Sequence, residues 1–133
     1  MLLLALLATT VTSWAQKKST DIVGTWLSEK GNAKIAVYEQ NKQFFGKLVW
    51  VADAAKKDIK NPNEALRQQP LLGKIILTNF VFKEEEWVNG NIYDPESGKT
   101  YSCIIKLKSD GKLSIRGFIG ISLFGKTTIW TKS

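Results

Sequence analysis

Asp58, Asn61 and Arg67 lie in one polar segment, and Tyr93, Tyr101 and Arg116 lie in the alternating stretches that follow it. Brought together, these side chains could hold an anion. A guanidinium offers a planar, two-pronged donor to a carboxylate or phosphate, and phenols add hydrogen bonds and aromatic surface. The same residues have a plainer use as fasteners. Arg67 can pair with Asp58 or Asp94, Asp94 can cap its own turn, and Lys99 can face solvent.

Several other chemistries lack their reagents. The sequence contains no histidine and one cysteine, Cys103. Ser-His-Asp triads, Cys-His pairs and histidine metal sites are therefore excluded. Cys103 alternates with Tyr101, Ile105 and Leu107, so it reads as a small hydrophobe on the apolar face of a strand. The acidic run Lys83-Glu84-Glu85-Glu86 lies between strand-like stretches and reads as a solvated loop. Asp and Glu are otherwise scattered, without calcium-loop spacing. No catalytic residue, metal site or cofactor is expected.

The elements that must position these groups alternate with a period of two. Strands are expected at Ile22 to Leu27, Lys34 to Glu39, Phe44 to Ala52, Lys74 to Phe82, Trp87 to Tyr93, Thr100 to Lys108, Lys112 to Ile119 and Lys126 to Lys132. Ser109-Asp110-Gly111 is a hairpin signal, and Asp94-Pro95 followed by Gly98 supplies turn chemistry. One stretch, about 54–72, is not strand-like. There Asn61-Pro62-Asn63 precedes a short helical run, Glu64 to Gln68. Eight strands with short connections and one lid-like segment predict an all-β, antiparallel, up-and-down barrel, because closure removes the exposed edges.

Phe44, Leu48, Trp50, Tyr101, Ile105, Ile115 and Phe118 are the expected lining or core, with Trp50 counted beside Arg67, Tyr93, Tyr101, Arg116, Asp58 and Asn61 as a ligand-contact candidate. Arg116 is ambiguous. Alternation sets it with Ser114 on the face opposite Leu113, Ile115 and Gly117, unless Gly117 marks a bulge.

Length and charge bound the rest. At 133 residues the chain is one domain with a core of useful size. A net charge of +7 suits anionic partners, or merely solubility. No Arg-rich helix or repeated aromatic-basic platform is present, which argues against nucleic acid. Residues 1–15 read as a signal peptide, with an apolar run from Leu2 and small residues at Ser13 and Ala15, although no Lys or Arg precedes the run. The run is shorter than the roughly 20 residues that span a bilayer. The expected mature domain is therefore 16–133, periplasmic or secreted.

Two sets of residues carry resemblances. Gly24-Thr25-Trp26 in the first strand, with Trp130-Thr131-Lys132 in the last, resembles the Gly-x-Trp and basic-residue closure of lipocalins; such a terminal cation can lie across the first Trp, or Trp26 can be an ordinary core plug. A longer series comprises Gly24 to Trp26, Gly46 to Val49, Asp58 to Pro62, Arg67 to Gly73, Gly90 to Tyr101, Leu113 to Gly120, and Trp130. In that order it resembles the bacterial family called domain of unknown function 2147, over about Ile22 to Lys132. The resemblance implies a small exported protein of lipocalin-like fold and supplies no catalytic residue or ligand. Gln69 departs from the second basic residue that the family often carries before this proline.

The sequence thus favours a non-catalytic, monomeric barrel that binds a small amphipathic or anionic molecule. An envelope module that meets an anionic surface with its basic exterior is the alternative, and a histidine-independent enzyme a more distant one.

Overall fold

Alternating apolar residues form eight antiparallel strands that close on themselves in sequence order. The computed structural model describes residues 16–121 and 125–133, so the expected signal peptide lies outside the described residues. The strands are β1 Gly24–Leu27, β2 Ala33–Gln40, β3 Gln43–Val51, β4 Ile75–Lys83, β5 Glu86–Asp94, β6 Lys99–Leu107, β7 Leu113–Phe118 and β8 Gly125–Lys132. Closure pairs Trp26 with Lys132 and Leu27 with Thr131. The Lys132 ammonium lies 5.9 Å from the centre of the Trp26 ring, the cation–π arrangement that the terminal residues allow.

Because neighbouring strands alternate in direction, the barrel has two unlike ends. One carries the tight turns. Asn41 and Lys42 both adopt left-handed backbone (φ 52° and 61°), as do Glu84 and Glu85 (φ 51° and 64°), giving two-residue hairpins whose twist matches the strands. The acidic run is therefore an exposed turn.

This end is plugged. The first strand starts at Gly24, two residues later than the apolar pattern suggests, because Ser19–Ile22 coils into a 3₁₀ turn. Ile22 is wholly buried there, and two indoles hold the plug: Trp26 Nε1 donates to the Ile22 carbonyl at 2.9 Å and Trp87 Nε1 to the Ser19 carbonyl at 3.0 Å. Trp26, Phe44, Phe80, Trp87, Ile105 and Leu113 fill the interior with almost no exposure. Gly90 is required beside them, since any Cβ would collide with the Phe80 ring.

Bulges coil the sheet into a closed wall. Asn79 and Asn89 sit in left-handed backbone (φ 63° and 62°) at register shifts in β4 and β5, a conformation that Asn tolerates better than most residues. A further shift at Lys34/Ile35 lets β3 accommodate one extra residue, so Lys34 faces Trp50 while Ile35 faces Leu48. Phe44, Gly46 and Leu48 point inward as expected, but past the shift the alternation inverts. Val51 turns in and Trp50 turns out.

Candidate functional site

The other end holds the β1–β2, β3–β4, β5–β6 and β7–β8 connections and is open. A cavity of about 540 Å³ runs inward from it. Ile35, Leu48, Ile76, Ile92, Ile115 and Trp130 make its apolar wall, and Glu29, Lys30, Lys56, Glu96 and Lys126 stand at its rim. Tyr93, Tyr101 and Phe118 also line it. The β1–β2 and β5–β6 connections stand half-way round the barrel from each other. Lys30 Nζ nevertheless reaches Glu96 at 3.1 Å, so this ion pair crosses the opening.

The β3–β4 connection, residues 52–74, is built as a short ribbon and a capped tip. Lys57 and Pro70 form a bridge, flanked by bonds from Asp58 N to the Gln69 carbonyl (2.9 Å) and from Leu71 N to the Lys56 carbonyl (3.0 Å). At the tip, Asn61 Oδ1 accepts from Asn63 N (2.8 Å), and Asn63 Oδ1 accepts from Ala65 N (3.1 Å) to cap the 3₁₀ turn Glu64–Leu66. Arg67 Nε donates to the Asn61 carbonyl at 2.8 Å. The ribbon lies so close to the β5–β6 turn that a Cβ at Gly98 would strike the Lys60 carbonyl, and Gly98 also needs its left-handed φ of 72°.

Asp58 joins this segment to the barrel. Its carboxylate is 1% exposed. Oδ1 accepts from the Tyr93 hydroxyl at 2.5 Å, and Oδ2 meets Asn61 Nδ2 at 2.8 Å and Lys74 Nζ at 2.9 Å. The Lys74 ammonium also stands 4.8 Å over the Tyr93 ring. Burial alone would raise the Asp58 pKa. Hydrogen bonds from Asn61, Tyr93 and Lys74, with the Lys74 charge, outweigh it and hold the carboxyl below its usual range. Tyr93 moves oppositely: burial, then the hydrogen bond to Asp58 and the negative charge there, lift the phenol well above its ordinary value.

The cluster is therefore a satisfied strut. Tyr93 presents its ring to the cavity while its proton is committed to Asp58. Cys103 is equally quiet, buried with its thiol pushed up to about 12 by desolvation.

The sequence-derived candidates separate accordingly. Tyr93 and Tyr101 come together in the cavity wall. Asp58 and Asn61 are buried in the strut, and Arg67 binds the segment's backbone, so it does not join the two tyrosines in the cavity wall. Its expected pairing with Asp58 is made instead by Lys74. Trp50 is 42% exposed on the outer wall, with Lys34 Nζ 5.7 Å from its ring centre, because of the extra residue in β3. Arg116 also points outward, with Nη1 2.9 Å from Thr127 Oγ1. Both ladders of β7 run in unbroken register, so Gly117 introduces no bulge. Asp94 does cap its turn, accepting from Glu96 N (3.0 Å) and Ser97 Oγ (2.8 Å). Lys74 was the residue to find: two positions before buried Ile76, it takes the inward side at the start of β4.

A closed up-and-down barrel, plugged at one pole and hollow toward the other, defines a lipocalin-like protein. The chain belongs to the family described as uncharacterized protein conserved in bacteria (DUF2147), whose model matches residues 24–132. Its fold is similar to that of protein HP1028 from Helicobacter pylori, described as belonging to the lipocalin family, with 24% identity, 84% of this chain and 82% of that chain covered, and a TM-score of 0.75. No curated protein matches the sequence.

Proposed function

We propose that this protein is a non-catalytic carrier or receptor for one small amphipathic molecule, held with its apolar body in the barrel and its polar end at the mouth. The observation that carries this reading is the open cavity of about 540 Å³, which falls in the range of small-molecule sites and is apolar at depth. Lys56 and Lys126 at the rim favour an anionic head group. The commitment of the Tyr93 proton to Asp58 and the desolvated Cys103 thiol favour binding over turnover. The apolar run in residues 1–15 favours action in the periplasm or beyond.

Native mass spectrometry of protein purified from its export compartment should reveal a retained amphiphile. A fluorescent anionic amphiphile such as anilinonaphthalene sulfonate should bind the emptied protein and be excluded by Ile92→Trp or Thr128→Trp, which fill the cavity. Binding that survives both substitutions in folded protein would sink the reading.

A further inference from the structure

The barrel is polarised in where it exposes apolar side chains. Among the large hydrophobic residues left exposed in the described residues, only Val23 belongs to the plugged end. The others stand where β3 ends, where β4 begins, or on the mouth connections. The most open are Ile119 at 69%, Ile59 at 62% and Ile121 at 56%. Ile59 projects from the ribbon that packs on the β5–β6 turn, and Ile119 and Ile121 project from the β7–β8 connection. In sequence, no charged residue falls between Phe118 and Lys126.

Lysines accompany these tips. Lys56 and Lys60 flank Ile59, and Lys126 follows the apolar β7–β8 stretch; all three are exposed. None has an ion-pair partner among the described residues. Three carboxylates of the open end have partners of their own: Asp58 pairs with Lys74, Glu96 pairs with Lys30, and Glu29 accepts from the Ile129 amide. Projecting apolar tips interspersed with unneutralised lysines match the two layers of an anionic lipid surface, phosphate outside and acyl chain beneath. The tips stand around an opening instead of forming one flat face, which suits a deformable surface better than a rigid partner.

We propose that the open end docks on an anionic lipid bilayer. Ile59, Ile119 and Ile121 enter the headgroup boundary, Lys56, Lys60 and Lys126 meet lipid phosphates, and the cavity receives its amphiphile directly from the membrane. The last step rests on the carrier reading above; the docking itself does not.

Co-sedimentation of the full barrel with phosphatidylglycerol-containing vesicles tests it, with pure phosphatidylcholine vesicles as reference. Binding should require the anionic lipid and weaken with salt. The pair Ile119→Asp and Ile121→Asp should lower partitioning at least about tenfold, and Lys126→Glu should lower it too. Charge reversals at the plugged end, Lys42→Glu and Lys112→Glu, should leave it nearly unchanged. Equal losses from the two ends, or no vesicle binding at low salt, would overturn the proposal. So would concentration-dependent self-association through the isoleucines in place of vesicle binding. Uptake of anilinonaphthalene sulfonate without vesicles reports on fold and cavity separately, so failure to dock and failure to bind a ligand are distinguishable.

Discussion

The Tyr93 hydroxyl donates to Asp58 at 2.5 Å, and the carboxylate that receives it is also the partner of Lys74 at 2.9 Å. This relationship fixes the long β3–β4 connection against β5 and sets the Tyr93 ring in the cavity wall. It also commits the Asp58, Tyr93 and Lys74 side chains to one another.

Breaking the strut should cost stability in graded steps. Tyr93→Phe keeps the ring and removes a hydrogen bond to a charged group, so about 1.5–3 kcal/mol should be lost. Asp58→Ala leaves Lys74 without its counter-charge and should cost about 3 kcal/mol or more. Urea unfolding monitored by tryptophan fluorescence measures both. Ligand affinity should change little in Tyr93→Phe.

The same cluster sets the pH limits of stability. The folded Asp58 carboxyl titrates below the ordinary aspartate value of 3.8, so its contribution is present above that value and is lost as pH falls through the lower folded pKa. The folded Tyr93 phenol titrates above the ordinary tyrosine value of 10.0, so its contribution is full below pH 10.0 and disappears as pH rises through the higher folded pKa. Stability against pH should be flat between these limits in its dependence on the pair. Asp58→Asn should flatten the acid limb and Tyr93→Phe the alkaline one in thermal melts taken across pH.

Gly98→Ala should loosen the connection locally. The added Cβ meets the Lys60 carbonyl and also disfavours the φ of 72°, so destabilisation should exceed about 1 kcal/mol. Trypsin should then cut sooner at Lys56, Lys57 or Lys60, while amides of β6 and β7 keep their hydrogen-exchange protection. Unchanged cleavage would show that this close approach does not hold the ribbon.

At the plugged pole, Lys132→Met should cost only about 0.5–1 kcal/mol, the worth of an exposed cation–π contact. Trp26→Ala should cost about 3–5 kcal/mol, because it empties the core and orphans the bond to the Ile22 carbonyl. Thermal denaturation distinguishes the two.

Much of this architecture was legible because strand alternation and turn chemistry are local. The positions of all eight strands follow from the alternation within a residue or two, and Asp94 behaves as its turn position implies. What escaped depends on pairing. Trp50 reads as inward until β2 imposes an irregular register on β3, a relation between strands that one strand's pattern does not contain. Ile22 reads as strand until the neighbouring Trp26 indole and the distant Trp87 indole capture the Ser19–Ile22 turn. Arg67 and Lys74 were equally good counter-charges for Asp58 by type. Only the folding of the ribbon sets Lys74 beside the carboxylate and turns Arg67 toward the Asn61 carbonyl.

The pairing of Trp26 with Lys132 has a kinetic meaning as well. It joins the first strand of the barrel to the eighth, so the wall has a gap until β8 has arrived. Every intermediate that lacks β8 presents two unpaired edges and an unsealed core, and the closing step bears the entropy of the longest loop in the chain. Folding of this protein should therefore finish in one late, cooperative event, with no stable shorter version of itself along the way.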